Sequence, residues 1–444
     1  MSYIKDILFK NFRITNLEGQ PADLGGEITT LTNFDYFESI FSPTVTVTTT
    51  LVGLEQLFSK FQMKGTETLS FEIQHPSGTL SFDDLYVQMM VQNDTGSTSN
   101  VYSILFNNPD SIANYRNKLS QRYDPEVKIS THVESILKTL GTERSYDIED
   151  TANSYGFFGN GWTPFKALYW LAKRSMSSTS SEDGSGTERV GFLFWETKSG
   201  YNFKSIDTIA SSSKQNVIQR FDQSEIVDEV NGNNFDIFNV RFEKDQDILD
   251  QISNGMYSDE ARYFNPHSNP NLSKSGSTSL GQNVNYGDKV FPSQSHFGKE
   301  SKLPNYNFNL LDTPTFDTVQ INSNFHMRRD GSVIIKDGVA AATIKEDNIH
   351  KIKSQARMRY ASMLSRSLRV TVPLNFELQA GLPIELNLIE SNSGTSKHLS
   401  GVYIIKDLRH SIETTEDGIK GFTHLRLLSD TYGKDNRVTT NVFS

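Results

Sequence analysis

Alternating hydrophobic and polar positions begin early in the chain and predict a β-rich first region over residues 1–108. The segment 42–53 (SPTVTVTTTLVG) is rich in β-branched residues, and the segment 66–94 holds two or three further strands. Residues 75–78 (HPSG) have the Pro and Gly placement of a turn between two of these strands. Apolar residues at helical spacing follow in 53–65. We therefore predict a small antiparallel β-barrel with one short helix across its end.

The periodicity then becomes helical. Residues 109–123 and 127–141 have apolar side chains at helical spacing, and Gly141 ends the second of these helices. A third helix is predicted to begin at the Thr-Pro pair 163–164, because Thr is a common N-cap and Pro is favoured at the first helical position. A polar loop rich in Ser and Gly, residues 175–188, follows it.

The stretch GFLFWETKSGYNFKSID after that loop alternates aromatic residues around a turn. Phe192 and Phe194 fall on one face of the predicted strand, and Leu193 and Trp195 fall on the other. A strand that is apolar on both faces is normally sandwiched between layers. We therefore interpret this hairpin as core and not as a sugar-binding platform. With the helices before it, the hairpin predicts an inserted α/β domain.

The β pattern returns strongly after residue 367, and a basic helix is predicted just before it over 351–367. The fold class is therefore predicted as mainly β with an α/β part. It has two small antiparallel β-barrel domains, an inserted α/β domain and an irregular insertion. The predicted boundaries are 1–108 for the first β-barrel domain, 109–210 for the α/β domain, 211–250 and 350–435 for the second β-barrel domain, 251–349 for the irregular insertion and 436–444 for the C-terminal tail.

Composition and charge narrow the function classes. The net charge of −10 disfavours a general nucleic-acid binder, because such a chain gains little from neutralising phosphates. The absence of cysteine excludes disulfides, thiolate zinc sites and cysteine nucleophiles. The N-terminal stretch MSYIKDILFKNFRITN has no signal-peptide apolar run, and no stretch of the sequence is long and apolar enough for a membrane span. We expect a protein with no stable membrane insertion.

Candidate chemistry is sparse. His398, His410 and His424 fall in one predicted barrel, but their sequence spacing is not that of metal ligands. The acidic run 243–250 lacks the Gly and Glu positions of a calcium loop. The glycine-rich stretch 156–161 matches no phosphate-binding loop. We therefore predict no catalytic, cofactor-binding or metal-binding residues, no cofactor and no enzyme activity.

One run of basic residues is the candidate contact site. It contrasts with acidic residues between positions 222 and 236, and it suits either a solvated face or a salt-bridged surface towards a partner or another subunit. The predicted contact residues are Lys351, Lys353, Arg357, Arg359, Arg366 and Arg369.

Four short stretches, taken in order, resemble the central hub protein of contractile phage baseplates, known best from T-even phages and related cyanophages. They are SPTVTVTTTLVGLEQLF with GTETLSFEI, WTPFKALYWLAKRS, GFLFWETKSGYNFKSID, and LSGVYIIKDLRHSIE. The resemblance covers roughly residues 30–250 and 350–432 and rests on the order of elements. The resemblance does not extend to the insertion at about 251–345.

The resemblance implies a homotrimer in which each subunit contributes two β-barrels to a ring of pseudo-sixfold symmetry. Such a ring adapts the threefold central spike to the sixfold tail tube and lets the genome pass during ejection. The implied partners are the spike protein, the tail tube or tube-initiator protein and the surrounding wedge proteins, while DNA passes through the bore without specific binding. The implied location is the tail baseplate of the virion, assembled in the host bacterial cytoplasm.

Three alternatives remain open from the residues alone. A hub of a related contractile injection system would have the same architecture. A β-rich tail adhesin or carbohydrate-binding module would also be acidic, aromatic-rich and free of cysteine, and it would expose Trp and Tyr side chains. A cell-wall hydrolase is a third class, although no peptidase or muramidase motif is present.

Overall fold

The fold is described here from a computed structural model. The structure describes residues 6–24, 30–52, 64–95, 100–178, 190–209, 219–223, 236–244, 247–256, 258–264, 274–279, 315–320, 335–336, 339–340, 349–390, 394–395, 399–415 and 418–429. Most of the predicted irregular insertion, most of the predicted helix over 53–65, most of the predicted loop 175–188 and the C-terminal tail lie outside these residues.

Strands dominate the described residues. In chain order they are β1 Leu8–Thr15, β2 Pro21–Asp23, β3 Thr30–Ser39, β4 Thr46–Val52, β5 Thr68–His75, β6 Gly78–Thr95, β7 Asn100–Asn107, β8 Arg122–Tyr123, β9 Tyr146–Ile148, β10 Phe157–Phe158, β11 Phe192–Thr197, β12 Gly200–Ser205, β13 Arg220–Gln223, β14 Asp236–Ile237, β15 Asn239–Lys244, β16 Ser258–Phe264, β17 Lys274–Ser279, β18 Thr315–Gln320, β19 Ile335–Lys336, β20 Val339–Ala340, β21 Arg366–Pro373, β22 Pro383–Asn387, β23 Ile389–Glu390, β24 Gly394–Thr395, β25 Gly401–Thr415 and β26 Gly418–Ser429.

Five helices lie wholly within the described residues, and none of them is long and apolar enough to cross a membrane. They are α1 Asp110–Arg116, α2 Ile129–Leu140, α3 Pro164–Ala172, α4 Ile248–Ser253 and α5 Ile349–Met363.

The mainly β fold class is confirmed, but the described strands close no barrel. Instead, fourteen of them pair into one sheet in the order β14-β13-β22-β25-β3-β4-β7-β6-β5-β1-β2, with β26, β21 and β15 branching from β25. The join between the two β-rich regions is the antiparallel pairing of β3 with β25, in which Phe34 lies opposite Ile412 and Phe37 opposite Arg409. We call this pairing the central seam.

The alternation read from the sequence explains which face of the sheet is the core. In β4, Val47 and Leu51 are buried while Thr46 and Thr48 between them point to the opposite face. Phe34 of β3 is fully buried and meets Phe71 of β5 edge to face, with ring centroids 5.1 Å apart. One hydrophobic core runs through both β regions, since it includes residues of β1, of β3 to β7, and of β21, β22, β25 and β26.

The inserted segment is a smaller layer of helices on the β11–β12 hairpin. Both faces of β11 are buried, as predicted, because Phe192 and Phe194 pack on α2 and α3 while Leu193 and Trp195 pack towards α5 and the large sheet. Helix α2 matches its prediction and ends at Gly141, whose φ of 77° is the left-handed conformation that glycine favours.

Two helix predictions extended too far. Helix α1 ends at Arg116 because Asn117 is extended and its side-chain amide donates to the carbonyl oxygens of Thr139 and Leu140 at the end of α2. Helix α5 ends at Met363, and Arg366 already pairs with Ser429 in the large sheet. In both cases a contact with a distant part of the chain ends the local helical pattern.

We expect Phe34→Ala to lower the free energy of unfolding by about 3–5 kcal/mol, because the substitution leaves a cavity at the central seam. Urea denaturation followed by circular dichroism measures this. Leu17→Ala is the matched control, since Leu17 is 83% exposed and its truncation should change stability by no more than about 0.5 kcal/mol. Equal denaturation midpoints for the two variants would contradict the assigned role of the seam.

Candidate functional site

The hairpin β11–β12 is attached to the large sheet through two buried glutamates. Glu38 of β3 accepts hydrogen bonds from the Tyr36 hydroxyl at 2.7 Å, from the backbone N–H of Lys198 at 2.7 Å and from the backbone N–H of Ala380 at 2.8 Å. These donors belong to the sheet, to the hairpin turn and to the segment between β21 and β22. One carboxylate therefore holds three parts of the chain together.

Glu196 of β11 makes the reciprocal connection. Its carboxylate accepts from the backbone N–H of Val45 at 2.9 Å and from the side-chain amide of Asn108, and it lies 3.3 Å from the Arg144 guanidinium. Its side chain has no exposed surface. We call the set Tyr36, Glu38, Glu196 and Lys198 the hairpin joint.

A tight aromatic contact closes the hairpin joint. The indole N–H of Trp195 donates to the Ala380 carbonyl oxygen at 3.0 Å. The neighbouring Gly381 has a φ of +90°, and a Cβ at this position would lie 2.7 Å from the Trp195 ring. Only glycine fits both the backbone conformation and the space.

Burial sets the protonation behaviour of the hairpin joint. Desolvation raises the pKa of Glu38 to about 7 and that of Glu196 to about 8, even though the N–H donors and nearby cations lower both values. Desolvation also lowers the pKa of Lys198. Because every carboxylate oxygen of the two glutamates already has a protein donor, the arrangement is suited to fixing the hairpin on the sheet and not to acid–base catalysis.

A buried ion pair attaches helix α5 to the same hairpin. The Arg359 guanidinium lies 2.6 Å from the Asp207 carboxylate and also donates to the Val190 carbonyl oxygen. Both charged side chains are less than a tenth exposed. The Tyr360 hydroxyl donates to the Phe192 carbonyl oxygen from the next position of the helix.

The predicted basic contact residues therefore do not form one surface. Arg359 forms a buried ion pair within the chain. Arg366 is buried, with its guanidinium 5.2 Å from the Phe242 ring centroid. Arg357 is half-buried, Arg369 is exposed and pairs with Glu243, and the side chains of Lys351 and Lys353 lie outside the described residues. Contact with a partner stays a prediction for the exposed members of the set.

The two described histidines of the second β region, His410 and His424, do not come together. His410 lies in the core, stacks on Tyr36 and pairs with the Thr423 hydroxyl at 2.9 Å. His424 lies opposite Arg409 in the register, on the other face of the sheet. His398 lies outside the described residues. Within the described part of the chain, no group of three or more His, Asp and Glu residues is placed to hold a metal ion.

A groove of about 740 Å³ crosses the face of the sheet opposite to the core. It extends from β4 over the central seam to β15. Its cationic lining is Arg241, Arg369, Arg409 and Arg426, and we call it the arginine groove. Thr46 and Thr48 line one end, where β4 turns its hydroxyl-bearing side chains away from the core.

Sequence analysis missed both features, although each leaves a signal. Glu196 is a carboxylate in a strand that is otherwise apolar on both faces, and a charge there must be matched by donors from elsewhere. The groove arginines alternate with apolar residues in β15, β21, β25 and β26, which marks them as one face of a sheet. Their alignment depends on strand register, and the sequence alone does not supply it.

Comparison with known proteins identifies the fold. The structure is similar to the tail protein from Neisseria meningitidis MC58, with a TM-score of 0.52, 11% identity, and coverage of 95% of this chain and 97% of that one. It is also similar to the 43 kDa tail protein of prophage MuSo2 from Shewanella oneidensis, with a TM-score of 0.52, 9% identity, and coverage of 94% and 97%. No family model and no curated protein sequence matches the chain. The chain therefore shares its fold with phage tail proteins.

We expect Glu196→Gln to weaken the pH dependence of stability between about pH 5 and pH 8. The folded protein keeps a proton on Glu196 at higher pH than the unfolded chain does, so the free energy of unfolding falls as the pH rises through this window. Each pKa unit of difference between the folded and unfolded states corresponds to about 1.4 kcal/mol. Thermal unfolding at several pH values measures the slope.

Burial lowers the pKa of His410, so His410 destabilises the protein as the pH falls below about 6.5, which is the opposite sense to Glu196. His410 is present in both proteins, so the difference between the wild-type and variant pH profiles reports Glu196 alone. Glu134→Gln, at an exposed position on α2, is the control and should leave the slope unchanged. Parallel pH profiles for wild type and Glu196→Gln would show that the carboxyl titrates normally.

We expect Arg359→Leu to destabilise the protein by about 3–5 kcal/mol, because it leaves the Asp207 carboxylate buried without its cation. Arg369→Leu removes an exposed pair and should cost about 0–1 kcal/mol. The double variant Arg359→Leu/Asp207→Leu should recover much of the loss, since the unpaired charge is gone. Chemical denaturation of all three variants tests this, and a double variant that is no more stable than Arg359→Leu would argue against a coupled pair.

Proposed function

We propose that this protein is the structural hub of a phage tail baseplate. In this proposal three copies form a ring that adapts a threefold central spike to a sixfold tail tube and lets the genome pass during ejection. The observation that carries the proposal is the likeness of fold, over 95% of this chain, to a tail protein of nearly the same length.

The organisation of the sheet supports a ring of three copies. Each chain supplies two β-rich regions on either side of the central seam, so three chains supply six such units, the number that a sixfold tube requires. The hairpin joint and the Arg359–Asp207 pair fix the inserted helical layer to this sheet. A chain held together in this way can transmit load between a spike and a tube without changing shape.

The proposed partners are the spike, the tail tube or tube-initiator protein, and the wedge proteins around the hub. DNA is proposed to pass without specific binding, which agrees with the net charge of −10, because attraction to phosphates would slow its passage. The proposed location is the virion tail baseplate, assembled in the host bacterial cytoplasm.

A structural role is proposed in preference to an enzymatic or a glycan-binding one. The buried carboxylates of the hairpin joint have their donors within the protein. Phe192, Phe194 and Trp195 of the aromatic hairpin are buried, so their rings offer no platform to a sugar. A hub of a related contractile injection system has the same architectural requirement and is the alternative identity.

We expect the purified protein to form a ring with threefold symmetry and a central hole, with a mass about three times that of the 50.1 kDa chain. Light scattering gives the mass, and negative-stain electron microscopy of the same sample gives the symmetry. A glycan array on that sample serves as the control for the adhesin alternative. A monomer that binds a glycan would contradict the hub proposal.

A further inference from the structure

Strand register lines up three arginines across the arginine groove. Arg426 of β26 lies opposite Arg369 of β21, and Arg369 lies opposite Arg241 of β15. Side chains directly opposite each other on one face have their Cβ atoms about 5 Å apart, and like charges in such positions repel. The row continues through Asp407 of β25 to Ser39 of β3.

The carboxylates within the chain neutralise only part of this row. Glu243 accepts from both Arg369 and Arg426, and Asp407 lies 3.5 Å from Arg426. Arg409 is bound by Asp35. Among the residues that the structure describes, no carboxylate lies within ion-pair distance of Arg241. With 59% of the Arg369 side chain exposed, this end of the groove presents positive charge to solvent.

A complementary surface lies at the other end of the sheet. Asp83 and Asp84 of β6 are exposed, as is Glu143 in the loop after α2. Burial raises the pKa of Asp84, the nearby Arg144 lowers it, and the nearby Asp110, Asp83 and Glu143 raise it, which indicates that these acids and Arg144 share one electrostatic environment. We call Asp83, Asp84 and Glu143 the acidic corner. Within the described part of the chain no ion pair involves these three carboxylates.

Strand β6, which carries Asp83 and Asp84 of the acidic corner, also exposes apolar side chains. Met89 and Val91 of β6 are 52% and 42% exposed, although the strand is otherwise part of the large sheet. Exposed apolar side chains beside charged ones are typical of the boundary between the core and the rim of a protein interface. Strand β6 therefore has both the charge and the apolar surface that a second protein would cover.

The mixed charge of the arginine groove favours a protein partner over a nucleic acid. Glu243 and Asp407 stand between the arginines, and they would repel a continuous chain of phosphates. A protein surface can instead place single carboxylates where the groove has unneutralised cations.

The arginine groove and the acidic corner lie on different parts of the same chain, so copies can join head to tail. A head-to-tail contact closes into a ring when the rotation between copies allows it.

We propose that the arginine groove of one copy binds the acidic corner of the next copy, and that this contact closes the homotrimer. The inference rests on the proposed function, because it assigns the residues of a contact between hub subunits. The contact depends most on Arg241, because no carboxylate among the described residues lies within ion-pair distance of this groove cation.

A charge-swap experiment on the full chain tests the contact. The groove variant Arg241→Glu/Arg369→Glu and the corner variant Asp83→Lys/Asp84→Lys should each weaken trimer association by at least about tenfold at low salt. The variant that carries all four substitutions should restore association to nearly the wild-type value. Lys10→Glu/Lys173→Glu changes the net charge as much as the groove variant, at exposed positions elsewhere, and should leave association unchanged. Light scattering over a concentration series gives the association constants, and circular dichroism melting verifies that each variant is folded.

Cross-linking provides a second readout that does not depend on the strength of association. The natural chain has no cysteine, so Arg241→Cys and Asp84→Cys each introduce a single thiol. A short bismaleimide should join a mixture of the two single-cysteine chains into covalent dimers. Neither single-cysteine chain should give covalent dimers when it is cross-linked alone. A mixture of Asp84→Cys and Lys173→Cys chains should give none either.

The outcomes separate this inference from the proposed function. A wild-type trimer that is unaffected by the groove variant and gives no mixed cross-link would overturn the assigned contact and leave the hub proposal standing. A wild-type chain that stays monomeric would contradict the homotrimer and the inference with it. Loss of binding to a labelled single-stranded DNA in the groove variant, with an unaffected trimer, would show that the groove serves nucleic acid and would also overturn the contact.

Discussion

The pairing of β3 with β25 is the constraint on which the rest of the structure depends. It joins residues as far apart in the sequence as Asn33 and Glu413 into neighbouring strands of one sheet. On one side of the sheet it completes the hydrophobic core around Phe34. On the other side it forms the floor of the arginine groove. The same pairing therefore determines both what holds the chain together and what the chain offers to a partner.

The hairpin joint extends this constraint to the inserted layer. Glu38 lies in β3 itself, and through its carboxylate the central seam is linked to the hairpin turn and to the segment that leads into β22. Burying two carboxylates costs free energy, which is visible in their raised pKa values. In return the geometry is defined by directional hydrogen bonds, whereas apolar packing alone tolerates alternative arrangements.

The sequence is informative where local pattern decides the structure. The β11–β12 hairpin and helix α2 follow directly from the periodicity of their apolar residues, and the alternation in β4 assigns its two faces correctly. The end of α1 depends on Asn117 reaching the carbonyl oxygens of α2, and the end of α5 depends on Arg366 pairing with Ser429; neither contact has a local signature. The same limit explains the missed site residues. The donors to Glu38 come from positions up to 342 residues away, and the arginine row exists only once three strands are in register.

The length of the loop that the central seam closes also has a kinetic consequence. Strand β3 ends at Ser39 and its partner β25 begins only at Gly401, so β25 leaves the ribosome long after β3. Until then the edge of β3 and the apolar face around it have no partner, and contacts of such large sequence separation form slowly because closing the loop costs entropy. An unpaired strand edge of this kind is prone to aggregation, so the nascent chain is most vulnerable in the interval before its C-terminal strands arrive.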